Sequence, residues 1–365
     1  MKDFIPQIEP WIDEEERTQL NRVIDSTYVT EHNLTKEFEE RIKDLSGARY
    51  AVAVTNGTAA LYCCLKALGI GPGDEVIVPN MTFVATSNAV IMAGAKPVFC
   101  EVLEDTFCID PDKMESLVNK NTKAVMPVHL YGQSADMDSI LAVANKHSIK
   151  VIEDAAQGVG VKYKNKHVGA LGDCGILSFY GNKTITCGEG GVILTDDKNI
   201  KQECYRLKNH GRDKKGIFKH DHIGYNFSFT EMQAAIGIAQ MNKLNKIISK
   251  KAEIQKVYHK ELIELKDVFT PAHISEDSTP VFWFTSYLTD RKQELQSFLY
   301  EKGIQTRDFF YPLHLQPCYS NMEIKGDFSI SEKIYDNGIS LPSAYNLTIE
   351  NQYRIIEAVK EFYGR

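Results

Sequence analysis

The sequence lacks the patterns that mark membrane-spanning, secreted and disulfide-stabilised proteins. No window approaches the roughly 18 apolar residues of a membrane-spanning helix. The first residues, through Glu16, carry several acids and no apolar run of signal-peptide length. The eight cysteines include no CxxC pair, and the chain is far larger than a disulfide-stapled scaffold. We therefore expect a cytoplasmic protein whose cysteines are reduced and mostly buried as small apolar side chains.

Positive charge is also in short supply. The formal net charge of −7 argues weakly against non-specific binding to nucleic acids or anionic membranes. No segment has the composition of a basic tail or an appended helix-turn-helix. His220 and His222 have no third candidate ligand nearby, so surface histidines are a better interpretation than a metal site. We expect no metal, nucleic acid or membrane among the ligands of this chain.

Three common nucleotide-binding and hydrolase motifs are missing as well. No G-x-G-x-x-G opens a helix after a strand, no G-x-x-x-x-G-K-[ST] is present, and no G-x-S-x-G marks a nucleophile elbow. The composition, with 43% hydrophobic and 25% charged residues, is that of an ordinary globular protein. The 365 residues are enough for a large core and two domains.

Short apolar runs alternate with helix-like stretches from about residue 35 to 240. The predicted strands cover 50–54, 75–78, 97–102, 123–128, 149–153, 175–179 and 191–194. The predicted helices between them include 59–68, 81–92 and 140–146. Continuous Val/Ile runs separated by helices are typical of an α/β fold, with a mostly parallel central sheet that helices cover on both faces.

The pattern changes after this region. Residues 231–263 predict one or two long helices, on which a row of lysines is interpreted as a solvated face: Lys243, Lys246, Lys250 and Lys251. From about residue 265 the pattern is α+β, with a loop over 270–280, a strand over 281–288, a helix over 291–302, an extended segment over 304–310 and a final helix over 349–362. We predict a large domain at 1–245 and a smaller C-terminal α+β domain at 246–365.

The most informative stretch is 178–191, which places Lys183 in a glycine-bracketed turn between two apolar strands. A lone lysine in such a turn is more often structural, but its cationic side chain prefers open water unless it has a function. One such function is to form an imine with a carbonyl compound. Asp154 ends another apolar strand, at the sheet edge where ligands bind, and either caps a helix or neutralises a pyridine nitrogen. Together the two residues are the signature of pyridoxal 5'-phosphate (PLP) chemistry.

Other strand-end residues fit the same cofactor. Gly57 and Thr58 open a helix, so they either bind an anion or form a plain capping turn. Phe83 either stacks on a flat ring or belongs to the core. Ser178 is placed to hydrogen-bond a phosphate. An anion turn, an aromatic residue, an aspartate, a serine and a lysine follow one another along the chain, each at a strand end, and this joint pattern favours a PLP site.

Several longer stretches resemble one known family. They are 55–61, 73–79, 153–157, the Lys183 segment, 224–226 with 233–235, and 310–314. Over nearly the whole chain, they resemble the DegT/DnrJ/EryC1/StrS family of PLP-dependent sugar aminotransferases. The resemblance implies PLP as cofactor, the fold of type I PLP-dependent aminotransferases, and a homodimer whose two active sites lie at the subunit interface.

The resemblance also implies roles for particular residues. The catalytic pair would be Lys183, which forms the internal aldimine, and Asp154, which partners the pyridine nitrogen. The cofactor would further contact Phe83 at the ring face, Gln157 near the ring hydroxyl, Gly57, Thr58 and Ser178 at the phosphate, and Asn226 of the partner subunit, also at the phosphate. The sugar substrate would lie near Glu189 and His314.

Within the family, the chain most resembles enzymes that aminate nucleotide-linked 4-keto-6-deoxyhexoses, with L-glutamate as the expected amino donor. By analogy, amination at C4 is favoured over C3, because the segment 310–314 lacks the second proline that 3-aminating relatives tend to carry around this point. A PLP-dependent sugar dehydratase is an alternative on the same fold, although such relatives carry histidine in place of Lys183. A 3-aminotransferase, an aminotransferase for free amino acids or cyclitols, and a catalytically silent regulator are further alternatives.

Two features bear on the sugar nucleotide. The basic stretch 206–222, which includes Arg212 and Lys215, is interpreted as a nucleotide-contacting loop of this or the neighbouring subunit, or else as a basic surface loop. Relatives usually have arginine where this chain has Ser228, and the change removes a bidentate contact that bears on substrate choice. The expected products are amino sugars for bacterial surface polysaccharides such as O-antigen.

Overall fold

The computed structural model describes residues 4–214, 216 and 218–365. Within these residues the α-helices are α1 Glu14–Ser26, α2 Asn33–Ser46, α3 Gly57–Ala67, α4 Ala85–Met92, α5 Pro111–Leu117, α6 Met137–His147, α7 Lys198–Lys208, α8 Glu231–Glu261, α9 Lys292–Glu301, α10 Ser329–Asn337 and α11 Ile349–Phe362. The strands are β1 Tyr50–Val54, β2 Glu75–Pro79, β3 Lys96–Cys100, β4 Thr122–Val125, β5 Lys150–Asp154, β6 Lys162–Tyr163, β7 Lys166–His167, β8 Cys174–Ser178, β9 Gly191–Thr195, β10 Thr270–Pro271, β11 Ser278–Thr279, β12 Thr285–Leu288, β13 Arg307–Asp308 and β14 Gly338–Leu341.

Seven strands form the central sheet, in the order β1-β9-β8-β5-β4-β2-β3. Neighbours from β8 to β3 run parallel, whereas β9 is antiparallel to both β8 and β1. The predicted α/β fold with a mostly parallel sheet is therefore confirmed, with β9 as the reversed strand. Ser178 at the end of β8 pairs with Gly191 at the start of β9. The turn that carries Lys183 thus begins and ends at the same edge of the sheet.

Alternate side chains along each strand enter two different hydrophobic cores. On β8, Ile176 packs in the core that contains residues of α3, α4 and α7, whereas Leu177 packs in the core with residues of α2, α6 and α8. Ile193 and Leu194 on β9 alternate in the same way. Helices cover both faces of the sheet, which is why its strands are continuous apolar runs in the sequence.

The C-terminal part forms a separate antiparallel sheet in the order β10-β12-β14-β13. Together with α9 and α11 it encloses a third core, which includes Tyr287, Leu299 and Ile355. Helix α8 contributes Tyr258 to this core and Ile238 to one core of the central sheet. The predicted boundary between residues 245 and 246 falls inside α8, and the division into two domains stays a prediction.

Two lysines of α8 contradict the prediction of a solvated face. Lys243 is buried, and its Nζ lies 2.6 Å from Oε1 of Glu16. Lys251 is also buried and donates to the carbonyl oxygens of Trp283 and Ser343, each at 3.1 Å. The lysine pattern was misleading because α1 and the C-terminal part fold over this face of α8 and supply acceptors that the local sequence does not show.

The cysteines agree with their predicted state. All eight are free thiols, and Cys318 is the exposed one. Burial raises the pKa of the Cys63 thiol well above its ordinary value, which keeps it protonated and unreactive. Among the described helices, none combines the length and the apolar character that crossing a membrane requires.

Candidate active site

The segments that follow β1, β2, β5 and β8 line one cavity of about 620 Å³. These strands run in the same direction, so their carboxyl ends meet at one edge of the sheet, where open α/β sheets bind ligands. Seven of the eight predicted cofactor residues line this cavity, and five of them form what we term the strand-end surface: Gly57, Thr58, Asp154, Gln157 and Ser178. A second groove, of about 780 Å³, involves α9 and α11 and contains none of the predicted site residues.

The N-terminus of α3 gives this surface an anion-binding turn. The Asn56 side chain caps the helix by accepting a hydrogen bond from the Ala59 N–H at 2.9 Å. A Cβ at position 57 would lie 3.2 Å from Cβ and 3.4 Å from Oγ of Ser178. Glycine therefore allows the end of β8 to approach the helix N-terminus closely. Backbone N–H groups next to the hydroxyls of Thr58 and Ser178 suit a phosphate.

Asp154 places a buried carboxylate in the same cavity. Its Oδ2 accepts a hydrogen bond from the Thr86 hydroxyl at 2.8 Å, and its Oδ1 accepts one from the Ala156 N–H at 3.1 Å. Burial raises the pKa of Asp154, although these two donors and Lys183 oppose the shift. A turn follows Asp154, so the helix-cap interpretation lacks a helix. A buried carboxylate of this kind is a strong acceptor for a cationic N–H.

A buried network of hydrogen bonds around Glu153 and His129 holds the end of β5, where Asp154 lies. Glu153 accepts hydrogen bonds from Nε2 of His129 at 2.9 Å and from three backbone N–H groups of the turn 169–172. Burial would raise the pKa of Glu153, but these donors lower it below its ordinary value. The Ala135 N–H donates a hydrogen bond to Nδ1 of His129 at 3.2 Å, so Nε2 is the ring nitrogen that donates to Glu153. The His129 N–H in turn donates to the Asp154 carbonyl at 3.1 Å, which fixes the strand end.

Lys183 enters the cavity from the turn between β8 and β9. Its Nζ lies 4.2 Å from the centroid of the Trp283 ring, and Nε1 of Trp283 donates to the Asn182 carbonyl at 2.6 Å. One indole therefore holds both the turn and the amine. Burial lowers the pKa of Lys183 to about 8, the charge of Asp154 opposes this, and Arg307 acts in the same direction as burial. An amine with this pKa is neutral in a useful fraction of molecules near neutral pH.

Gln157 and Phe83 also face the cavity. Oε1 of Gln157 accepts a hydrogen bond from the Tyr131 N–H at 2.6 Å, which leaves its NH₂ group as the donor for a ligand. The Phe83 side chain is 57% exposed, and its ring lies 6.0 Å from that of Phe310. The core interpretation of Phe83 is therefore wrong, and a stacking role stays a prediction.

Three cavity residues come from the C-terminal part and were missed in the sequence. We term Trp283, Arg307 and Phe310 the C-terminal wall. Trp283 is one of two tryptophans in the chain, and Arg307 and Phe310 lie in the predicted extended segment 304–310. The rarity of tryptophan and the predicted extended segment were the features of the sequence that could have indicated these residues. Nothing in the local pattern indicates that this segment faces the Lys183 turn, because the contact depends on long-range packing.

The predicted substrate residues lie at different distances from this cavity. Glu189 lines it and is exposed. His314 is not among the lining residues; its Nε2 lies 3.1 Å from Glu332, and its Nδ1 faces the Asn80 side chain. The single chain therefore gives no direct support for a sugar contact from His314.

Asn226, which is assigned to the partner subunit, and Arg212 of the basic stretch also lie outside the cavity lining. Asn226 is exposed and forms a bridge with Asn209. Arg212 donates to the Asn209 side chain at 2.7 Å. Lys215 lies outside the described residues. Lys208 corrects the prediction that the whole basic stretch is a loop, because it is the last residue of α7, is buried, and donates to the Ala53 carbonyl at 2.8 Å.

The strand-end surface fits PLP. An added Cβ at Gly57 would lie only 3.2 Å from Cβ of Ser178, so glycine lets the helix N-terminus come next to the Ser178 hydroxyl, an arrangement that suits a phosphate. Asp154 is a carboxylate for a protonated ring nitrogen, and Lys183 is an amine for an aldehyde. Uncharged donors, a carboxylate and an amine in one cavity are the complementary groups for the three polar ends of this cofactor.

Comparison with known proteins agrees with this chemistry. Residues 10–360 match the DegT/DnrJ/EryC1/StrS aminotransferase family. The chain is 39% identical to the GDP-perosamine synthase of Escherichia coli O157:H7 over 99% of both chains. It is 38% identical to the GDP-perosamine synthase of Caulobacter vibrioides over 96% of both chains.

Solved structures extend the comparison to the fold. DesV of S. venezuelae, solved in complex with a ketimine intermediate, is 32% identical with a TM-score of 0.94, over 100% of both chains. The PLP form of the putative sugar aminotransferase Spr1654 of Streptococcus pneumoniae is 26% identical with a TM-score of 0.92, over 98% of both chains. The chain described here thus belongs to the DegT/DnrJ/EryC1/StrS family and is a PLP-dependent aminotransferase.

Proposed function

We propose that this aminotransferase transfers the amino group of L-glutamate to C4 of a nucleotide-linked 4-keto-6-deoxyhexose. The products would be a 4-amino-4,6-dideoxy sugar nucleotide and 2-oxoglutarate. The observation that carries the proposal is the nearly full-length identity of 38–39% to GDP-perosamine synthases. It applies to a chain whose cavity brings Lys183 and Asp154 together.

The residues of the cavity divide the work between binding and proton transfer. When bound, PLP supplies an electron sink for the carbon that loses its proton. Lys183 would bind the cofactor covalently through Nζ and, once displaced, would accept a proton from the α-carbon of the amino donor and deliver it to the cofactor carbon that takes up the amino group. Its lowered pKa of about 8 favours the neutral amine that this role needs. Asp154 would hold a proton on the ring nitrogen, and Gly57, Thr58 and Ser178 would bind the phosphate.

We further propose a homodimer with shared active sites, in which Asn226 of the partner subunit completes the phosphate site. Asn226 is exposed and is not among the residues that line the cavity of its own chain, and the nearby Ile223 is 86% exposed, as expected for a segment that another subunit covers. Ile223→Asp should dissociate the dimer in light scattering and weaken PLP binding. A monomeric wild type with normal PLP affinity would contradict the shared site.

Arg212 is proposed to contact the nucleotide from the basic stretch. Arg212→Glu should raise the KM for the sugar nucleotide and leave that for L-glutamate unchanged, because only the former carries a diphosphate. Lys246→Glu, on the exposed face of α8, is the matched control. Equal effects on both KM values would count against the contact. Glu189 is retained as a sugar contact from its place in the cavity, and His314 on the resemblance alone.

The decisive experiment uses purified protein loaded with PLP. We expect L-glutamate to bleach the visible absorption band, and a GDP-linked 4-keto-6-deoxyhexose to restore it with formation of a 4-amino product. Parallel assays with dTDP- and UDP-linked 4-keto sugars identify the nucleotide. A 3-amino product would favour the 3-aminotransferase, and a product that loses oxygen without gaining nitrogen would favour the dehydratase. Amination of none of these sugars would refute the proposal. We propose a cytoplasmic site of action and surface polysaccharides such as O-antigen as the destination.

A further inference from the structure

Arg307 is a cationic side chain in the cavity for which the proposed roles provide no partner. It lies on β13, lines the cavity, and is half-buried. Within residues 4–214, 216 and 218–365, no carboxylate forms an ion pair with its guanidinium, whose Cζ lies 5.2 Å from the centroid of the Phe284 ring. The adjacent acid, Asp308, is engaged elsewhere, with Lys292 Nζ at 3.3 Å.

A guanidinium in this setting is suited to an anion from outside the protein. Arginine offers a planar fork of N–H donors that matches a carboxylate bidentately, and such pairs are stronger where water is partly excluded. By contrast, Arg291 also lies over an aromatic ring, with Cζ at 4.2 Å from the Phe362 centroid, but it has Glu294 as its partner at 2.7 Å. The two arginines share the stacking and differ in the counter-ion.

Arg307 and Lys183 line the same cavity and contact the same pair of aromatic side chains. Trp283 and Phe284 stack with ring centroids 3.9 Å apart. The Lys183 amine lies over the first ring and the Arg307 guanidinium over the second. The two cationic side chains are therefore placed on neighbouring rings of one aromatic pair.

Four anionic groups could enter the cavity, and their chemistry separates them. The phosphate of PLP is already matched by the N-terminus of α3 and Ser178. The diphosphate of the sugar nucleotide is attached at C1, across the ring from the proposed reacting carbon at C4. The γ-carboxylate of L-glutamate is separated from the reacting carbon by two methylene groups. The α-carboxylate of the amino donor is bonded directly to the carbon whose proton Lys183 would take. It is therefore the anion that must lie nearest to Lys183.

We propose that Arg307 binds the α-carboxylate of the amino donor and so orients its α-carbon toward Lys183. The assignment rests on the proposed donor reaction, but it does not depend on which sugar is aminated. It also explains how one cavity serves two unlike substrates, because the cation is needed in only one half of the reaction. The charge of Arg307 helps to lower the pKa of Lys183. A carboxylate on Arg307 would offset this effect while Lys183 accepts its proton.

The test measures carboxylate binding to the PLP-loaded protein, with glutarate as a non-reacting probe in isothermal titration calorimetry. Arg307→Gln should weaken glutarate binding by about 10- to 100-fold, because a charge-assisted bidentate contact is lost. Arg307→Lys should recover part of the affinity, since it keeps the charge without the fork. Arg291→Gln is the matched control and should bind as the wild type does.

A second measurement assigns the carboxylate and separates the two proposals. L-Glutamine keeps the α-carboxylate, whereas L-isoglutamine has an amide in its place, and both are tested as competitors of L-glutamate. L-Glutamine should bind more weakly to Arg307→Gln than to the wild type, and L-isoglutamine should bind equally to both. Unchanged glutarate binding in Arg307→Gln, no glutarate binding to the wild type, or a loss of PLP affinity in its place would overturn the assignment. If the Arg307 effects appear but no keto sugar is aminated, the sugar assignment fails and the carboxylate site stands.

Discussion

The two surfaces that line the cavity differ in chemistry and in support. The strand-end surface consists of small or hydroxyl-bearing residues, one amide and one carboxylate, and it is backed by two cores and by the buried His129–Glu153 pair. The C-terminal wall consists of two aromatic residues and one arginine, and Arg307 lies on a strand of only two residues. The first surface is rigid and polar, whereas the second is largely aromatic and cationic.

This difference indicates a division of tasks. A cofactor stays in place through both halves of a transamination, so a rigid surface with fixed donors suits it. Two substrates of different shape and charge must use the rest of the cavity in turn, and a wall of flat rings with one cation accommodates both. We therefore expect changes in the strand-end surface to affect both half-reactions alike, and changes in the C-terminal wall to distinguish between them.

Lys183 lies between the two surfaces, and its loss should have the largest effect. Lys183→Ala should lower turnover by about 10⁴-fold or more in both half-reactions, because the nucleophile and the proton carrier are lost together. The measurement is single-turnover bleaching of the visible band and its recovery with the keto sugar. Lys246→Ala, on the exposed face of α8, is the control. Near-normal rates in Lys183→Ala would contradict the role of Lys183 as nucleophile and proton carrier, on which the comparison of the two surfaces depends.

Asp154 should show a large loss of activity without a loss of stability. Asp154→Asn should slow both half-reactions by about 10²- to 10³-fold, because a neutral amide no longer stabilises a cationic ring nitrogen. Burial raises the pKa of Asp154 in the fold, so its contribution to stability is present at acidic pH and is lost as the pH rises through the raised value.

Chemical denaturation of the cofactor-free protein at pH 7 tests the stability part of this prediction. The free energy of unfolding of Asp154→Asn should equal or exceed that of the wild type, since the variant removes a buried charge. Thr86→Val is the matched control, because it removes a donor to the same carboxylate and should destabilise the ionised form. A strong effect of Asp154→Asn on only one half-reaction would contradict the proposed division of tasks.

The strand-end surface was predictable because its residues follow directly from local patterns. Each apolar run predicts a strand, the residue after it lies at the sheet edge, and parallel strands bring these edges together. Asp154, Ser178 and Gly57 were found in this way. The final helix, Ile349–Phe362, was predicted at its observed bounds for a similar reason, since its periodicity is local.

The C-terminal wall and the buried lysines were not predictable by the same means. Arg307 reaches the cavity only because one sheet packs against the turn of another, and no periodicity in 304–310 encodes that contact. Lys208 and Lys251 resemble surface lysines in the sequence, yet both donate to backbone carbonyls that distant segments supply. The charge pattern shows where a lysine could be solvated but not what later folds over it.

Gly57 tests whether the strand-end surface holds the cofactor. Gly57→Ala should raise the Kd for PLP by about 10-fold, because the added Cβ would lie 3.2 Å from Ser178 in the turn that would bind the phosphate. The readout is quenching of protein fluorescence on titration with PLP. Gly181→Ala is the control, since its Cβ would meet nothing closer than 4.0 Å. Unchanged PLP affinity with a changed KM for L-glutamate would assign this surface to the substrates instead.

Substitution of Trp283 should have the smallest effect on the reaction rate. It tests most directly whether the C-terminal wall serves the substrates rather than the cofactor. Trp283→Leu should slow the glutamate half-reaction by about 10-fold, and Trp283→Phe by about threefold, because phenylalanine keeps a ring under Nζ and loses only the bond to Asn182. Burial is the main cause of the lowered pKa of Lys183, so opening the wall should move that pKa from about 8 toward its ordinary value of 10.5. The fraction of Lys183 that is uncharged at neutral pH then falls, and the loss of rate in the variant should shrink as the pH is raised.

The pKa of Lys183 is measured from the pH dependence of its chemical labelling in the cofactor-free protein. Trp11→Phe is the control, because it changes the other indole of the chain. Trp283→Leu could instead weaken PLP binding as much as Gly57→Ala does and leave the pKa of Lys183 unchanged. The C-terminal wall would then bind the cofactor as well, and the two surfaces would not divide the cavity between cofactor and substrate.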